Sequence, residues 1–332
     1  MSGMGRREFV ALLGGAAAAW PLAARAEQDM SIARVGVLGP SLDSVPVVKV
    51  TYPFFLAELR KLGFEQGRNL LVEYRLFDQG PGQATSSVNE LVAWKADVLF
   101  VIGVEFALRA AAAAQPPAPI IMAALNYDPV AKGYVQSLTR PGGNITGLDA
   151  RWTDITAKQV EVLQEAFPDR NRLGVLWDTV SADQFGATER EAGAKGLALR
   201  GFKLENPPYD FAPAFRALLQ ADAQMVLIGS SPLFSGQSVR IAELAVEHRL
   251  PTMFILRNYV EDGGLMSYGV DFAWLMRRSA SFVAKILRGA KPIDLPVEQP
   301  DRYEFVLNLK TARAIGVTLP TATLLRADEV IE

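Results

Sequence analysis

Cysteine is absent from the chain, and histidine occurs once in 332 residues. The first absence excludes disulfides, thiolate catalysis, cysteine-based metal sites and a lipid-modified cysteine behind a leader. The second leaves a Ser-His-Asp relay with one candidate base, His248, and leaves a zinc-type site without its usual ligands. His248 stands in "AVEHRLP", at the expected last turn of a helix, where the helix dipole favours an imidazolium. The "GSSP" at 229–232 is not a G-x-S-x-G elbow. A G-x-x-x-x-G-K-[ST] phosphate loop is missing, and no G-x-G-x-x-G follows the first expected strand, where Gly36 and Gly39 are followed by Pro40. Adjacent carboxylates such as Glu261 and Asp262 read as turn chemistry. The chain is therefore read as a protein that is not an enzyme, with no catalytic residue, cofactor or metal assigned.

Charge of one sign is also scarce. The net charge is −2 and no Lys/Arg block follows the first 26 residues, so the sequence carries no nucleic-acid footprint. Beyond the N-terminal stretch no apolar run is long enough to span a membrane. That stretch, "MGRREFVALLGGAAAAWPLAARAE", has an uncharged segment from Phe9 to Ala24. A stable transmembrane helix needs roughly 20 apolar residues, whereas the apolar core of a signal peptide needs about 7–15. Gly14, Gly15 and Pro21 weaken it as a permanent helix. Ala24-Arg25-Ala26 puts small residues where a signal peptidase inspects them, so cleavage is expected before Glu27. Arg6-Arg7 resembles a twin-arginine export signal, with the general secretory route or an uncleaved anchor helix as alternatives. Residues 1–26 are read as a cleaved export signal, and the remainder as a soluble periplasmic monomer.

After the leader, apolar β-rich runs alternate with amphipathic stretches of helical length. Strands are expected at 34–39, 69–74, 97–103 and 119–125, with helices in "YPFFLAELRKLGF", "ATSSVNELVAWK" and "EFALRAAAAAQ" between them. The strand runs are continuously apolar, as in a parallel sheet covered on both faces. The rhythm starts again with strands at 172–178, 198–206, 224–230 and 252–256, interleaved with helices near 183–196, 211–221 and 237–248. "LTRPGGNITGLDARW" separates the two series and reads as a crossing between lobes. A helix near 271–288 and "EFVLNLKTARAIG" continue past the second series, so the chain is expected to cross again.

Two such lobes make a cleft, and in parallel sheets a ligand lies outside the carboxyl ends of the strands. The candidate binding residues are accordingly Ser41, Val104, Glu105, Asn126, Tyr127 and Asp128 in lobe one, and Trp177, Asp178, Ser230, Ser231 and Arg257 in lobe two. Ser230 and Ser231 with their backbone N–H groups are expected to receive an anionic end of the ligand. Glu105 and Asp128 would offer acceptors to an amine or hydroxyl. Glu105 reads equally as a cap of the helix that begins there. Tyr127, Trp177 and Trp152 are candidate flat walls, with core packing as the alternative.

"YDPVAKGYVQSLTRPGGNITGLD" (127–149) resembles a signature of the tryptophan/tyrosine-type periplasmic substrate-binding proteins of ABC transporters. "GGLMSYG", "KILRGAKPIDLPVEQP", "NLKTA" and the terminal "LLRADEVIE" resemble further motifs of that family, in order and at its spacing, so the likeness spans nearly the whole mature chain. The resemblance implies an α/β, type I-like two-lobed periplasmic binding fold, each lobe a parallel sheet flanked by helices, with three crossings. Lobe one is expected to comprise 27–146 plus 262–300, and lobe two 147–261 plus 301–332. Hinges are expected near 145–150, 257–264 and 299–305. The implied function is capture of a small organic ligand, amino-acid-like or a carboxylate. The implied partners are an inner-membrane ABC permease and, through it, an ATPase. A ligand sensor for a membrane receptor or kinase is the alternative. One departure stands out: many relatives carry a small Gly/Ser/Thr-Pro-Ala loop after the third strand, whereas this chain reads Gly103-Val104-Glu105-Phe106.

Overall fold

The computed structural model describes residues 32–332, so the expected leader and its cleavage site lie outside the described residues. Five parallel strands open the fold: β1 (Ala33–Gly39), β2 (Leu70–Leu76), β3 (Val98–Gly103), β4 (Ile120–Ala124) and β5 (Ile145–Asp149), in spatial order β2-β1-β3-β4-β5. Three helices connect them, α1 (Pro46–Lys61), α2 (Pro81–Ala93) and α3 (Glu105–Ala113). Both faces of this sheet are covered, which is why β3 and β4 are buried at every position.

The second sheet has seven strands, in the order β12-β11-β10-β9-β8-β6-β7. These are β6 (Arg172–Trp177), β7 (Ala198–Lys203), β8 (Met225–Ile228), β9 (Thr252–Phe254), β10 (Met266–Val270), β11 (Tyr303–Asn308) and β12 (Glu329–Ile331). All pairings are parallel except β10 with β11. Its helices are α4 (Trp152–Ala166), α5 (Ala182–Ala194), α6 (Phe211–Gln220), the short α7 (Pro232–Ser235), α8 (Ser238–Glu247), the short α9 (Asn258–Glu261), α11 (Leu309–Ile315) and α12 (Thr321–Arg326). The remaining helix, α10 (Phe272–Leu287), leaves this sheet and packs on α1 and on β3, β4 and β5 of the first.

The chain thus passes between the layers after β5, between β10 and α10, and between Glu298 and β11. Two expected boundaries are corrected. Residues 147–149 belong to β5 in the first sheet, where Gly147 faces Met122 and Asp149 faces Ala124. Residues 266–270 belong to the second sheet, because Met266 pairs with Met253 on one side and with Leu307 on the other. The middle crossing therefore falls at Asp271, whose carboxylate caps α10 by accepting from the N–H groups of Ala273 (2.8 Å) and Trp274 (3.1 Å). It does not fall at 257–264, which form α9 and the turn into β10.

The first and third crossings are tied together. Asp149 accepts from the Gln299 amide at 2.9 Å and from the Arg151 N–H at 3.0 Å. Burial raises the Asp149 carboxyl above its ordinary value, and these two donors offset part of that rise. One apolar cluster runs through both layers, from Phe55 and Phe100 through Phe272 and Phe282 on α10 to Phe215, Phe234 and Phe254. Each ring so buried contributes about 1.5–3 kcal/mol to the packing.

Candidate functional site

The carboxyl ends of β1, β3 and β4 face those of β8 and β9, and the two sets enclose a cavity. From the first layer come Pro40, Val104, Leu125 and Asn126 at strand ends, Phe77 beyond β2, and Val45, Val47 and Val48 at the start of α1. The second layer supplies Ser230, Ser231 and Ser235 around α7, Leu256 beyond β9, and Trp152 at the first position of α4; Phe272 begins α10. The lining holds no Asp, Glu, Lys, Arg or His. Its polar groups are neutral: one amide, three serines and one indole N–H.

Five of the candidate residues line this cavity, Val104, Asn126, Ser230, Ser231 and the candidate wall Trp152. Asn126 spans the layers, its amide donating to the Val180 carbonyl at 2.6 Å. The Ser230 N–H is not free, since it donates to Gln184 Oε1 at 2.8 Å; the expectation of a bare backbone donor there is corrected. The Ser231 hydroxyl accepts from the Leu233 N–H at 3.3 Å and caps α7.

The other seven stand outside the lining, because each has partners that draw it elsewhere. The Ser41 N–H donates to both oxygens of Asp78 at 3.0 Å. Glu105 accepts from the Tyr134 hydroxyl and faces Arg109 at 3.4 Å, so it serves the start of α3. Tyr127 lies edge-on to Tyr134 with ring centroids 6.1 Å apart, and burial holds its hydroxyl well above the usual range. Asp128 accepts from the N–H groups of Val130 (2.8 Å) and Ala131 (3.0 Å) in a local turn. Trp177 stacks on Phe185 at 4.4 Å. Asp178 is fully buried, accepting from the N–H (3.0 Å) and hydroxyl (2.9 Å) of Ser181 and from the Tyr209 hydroxyl (3.3 Å). Arg257 donates to Glu261 (2.9 Å), Glu329 (2.7 Å) and Glu304. Burial works against its charge, yet these carboxylates hold the guanidinium above its ordinary value.

What strand-end reasoning did not supply are the helix starts. Val45, Trp152 and Phe272 each begin a helix or immediately precede one, and the chain crossings bring the last two to the cleft. Trp152 is only 4 % exposed, and its Nε1 has no hydrogen-bond partner among the described residues. Both polar atoms of the Asn258 side chain are likewise buried and unpartnered, whereas the Ser235 hydroxyl lies within reach of the Tyr259 hydroxyl. Unpartnered buried polar groups are costly, and where they gather they mark a place built to meet something else. Among the described residues no group of three or more His, Cys, Asp or Glu is placed to hold a metal ion, and no helix is long and apolar enough to cross a membrane.

Comparison with known proteins gives four concordant findings. The profile of a family described as ABC transporter substrate binding protein matches residues 44–331. A tyrosine-binding protein of Clostridioides difficile (strain R20291) is 24% identical over 273 residues, which cover 79% of this chain and 75% of the relative. Among solved structures, an ABC domain in complex with L-Trp from Streptococcus pneumoniae superposes with a TM-score of 0.81 at 24% identity, covering 91% of this chain and 100% of its own. The ligand-free, open structure of a substrate binding protein with adhesive properties from Clostridium difficile gives a TM-score of 0.66 at 22% identity, covering 91% of this chain and 99% of its own.

Proposed function

The chain belongs to the ABC transporter substrate binding protein family, and we propose that it captures a small organic ligand, amino-acid-like or a carboxylate, in the cleft between its two sheets. Its fold is that of the type I periplasmic binding proteins, and its relatives are solute-binding proteins, not enzymes. Members of the family bind small ligands and deliver them to ABC permeases; uptake through such a permease is the role inferred for this chain.

The observation that carries the reading is the cavity itself. It is walled from both layers at the strand ends, and its lining includes Trp152, whose Nε1 is buried and unpartnered among the described residues. A ligand touching both walls favours the closed arrangement by its differential affinity for it. We read the described arrangement as closed because both layers contribute side chains to one cavity. Small-angle scattering tests this, with hits first drawn from a thermal-shift screen of amino acids, aromatic acids and small carboxylates. The radius of gyration is expected to be larger without ligand and to fall at saturation, the layers turning about Asp149–Arg151, Asp271 and Gln299–Arg302. An unchanged profile at saturation counts against closure.

Members of such families are typically extracytoplasmic. For this chain we infer export with cleavage before Glu27 and a soluble periplasmic product. Mass spectrometry of the periplasmic fraction is expected to find Glu27 as the first residue, and an intact Met1 on a membrane-bound product overturns it. Replacing Arg6 and Arg7 by Lys blocks export if the twin-arginine route is used; export that persists points to the general secretory route.

A further inference from the structure

The cleft of this chain presents no carboxylate to the ammonium of a free amino acid. An α-ammonium group carried into a closed cavity loses its water, and that loss is recovered only beside a carboxylate or several well-placed acceptors. No carboxylate lines the cavity. Those near the strand ends are already committed: Asp178 to Ser181 and Tyr209, Asp128 to a backbone turn, and Glu105 to Tyr134 and Arg109.

Donors, by contrast, are in surplus. The indole N–H of Trp152 can only donate; it is buried, lines the cavity and has no acceptor among the described residues. Ser230, Ser231 and Ser235 also line the cavity, and each of their hydroxyls can donate as well as accept. Several neutral donors suffice to hold a carboxylate in its charged form. The lining also holds the apolar side chains Val45, Val48, Phe77, Ile102 and Leu125, which match a hydrocarbon body and carry no charge to pair with a cation.

We propose that the cleft selects apolar monocarboxylic acids that lack an amino group, with Trp152 Nε1 among the donors to the carboxylate. The proposal rests on the binding-protein reading above and narrows it. It sets this chain apart from relatives named for tyrosine or bound to L-Trp.

Calorimetric titration of the mature chain with matched pairs tests it: phenylpropionate against L-phenylalanine, hydroxyphenylpropionate against L-tyrosine, indolepropionate against L-tryptophan, and isocaproate against L-leucine. Within each pair the apolar body is shared and only the ammonium differs. At least one acid is expected to bind at least about tenfold more tightly than its amino acid, roughly 1.4 kcal/mol. Trp152→Phe, which keeps an aromatic side chain but removes the N–H with the rest of the five-membered ring, is expected to weaken that acid about tenfold, with the melting temperature reporting separately what the smaller side chain costs the fold. An amino acid binding as tightly as its des-amino partner overturns the proposal and leaves the binding-protein reading standing. Neither series binding overturns both. Unchanged affinity in Trp152→Phe overturns the role of the indole.

Discussion

Gly147→Ala is expected to be among the most destabilising single substitutions in the chain, at a cost of about 4 kcal/mol or more. Two independent features converge on this glycine. Its φ is +135°, a conformation that costs a residue with a Cβ about 1–3 kcal/mol. A Cβ there would also stand 2.1 Å from the Met122 carbonyl oxygen and 2.7 Å from the Met122 nitrogen. Those are backbone atoms of β4, so no side chain can swing aside; the β4–β5 pairing itself must open. The Gly147 carbonyl accepts from the Glu298 N–H at 3.0 Å, so the damage spreads to the third crossing as well. For a chain of this size the melting temperature should fall by roughly 8 °C or more. Gly143→Ala, in the same "RPGGNITG" motif but facing open space, should stay within about 0.5 kcal/mol of the parent. Equal melting temperatures for the two variants, by calorimetry, would contradict the close approach at Gly147.

The same glycine shows where sequence reasoning stopped. "DVLFVIG" and "PIIMAAL" announce buried parallel strands because nothing in them interrupts the apolar run. "NITGLD" and "MSYGV" carry a glycine and polar residues inside five-residue strands; the first falls in a stretch that reads as a crossing, and the second is assigned no strand. Those two strands, β5 and β10, are the ones whose assignment moved the lobe boundaries. Alternation of strand and helix still conveyed the two-layer plan, since it depends on many residues and not on any one.

The site divided along similar lines. Val104, Asn126, Ser230 and Ser231 were legible because a strand end fixes position almost regardless of side chain. Glu105 and Arg257 also stand at strand ends, but partners distant in the linear sequence claimed them: Tyr134 is 29 residues from Glu105, and Glu329 is 72 from Arg257. Charge made these residues conspicuous as candidates, and charge is also what secured them partners elsewhere. Trp152 was visible as an apolar wall. That its N–H would be left without an acceptor depends on how α4 leaves the first crossing, which composition and spacing do not encode.

Gly236→Ala should separate binding from stability, because it acts on the approach of the two layers and not on either alone. Gly236 follows α7 with φ −68° and ψ −10°, so alanine is fully permitted there and reduces the freedom of the unfolded chain. By that effect alone the substitution is neutral or stabilises by about 0.4–1 kcal/mol. In the described arrangement, however, its Cβ would meet the carbonyl oxygen of Ser44, in the opposite layer, at 2.6 Å. That contact is with backbone at the entry to α1, beside the cavity-lining Val45, and it exists only while the layers are together. Alanine therefore penalises the closed arrangement and leaves the open one untouched. If only closed molecules hold ligand firmly, apparent affinity falls in proportion to the closed fraction, and a tenfold loss of that fraction appears as a tenfold weaker Kd. We expect a loss of about tenfold for whichever ligand the parent binds, together with an unchanged or slightly higher melting temperature and a larger ligand-bound radius of gyration. A side chain that merely damaged the fold would lower both affinity and melting temperature. A Kd within about twofold of the parent's would show that binding does not require Gly236 and Ser44 to meet.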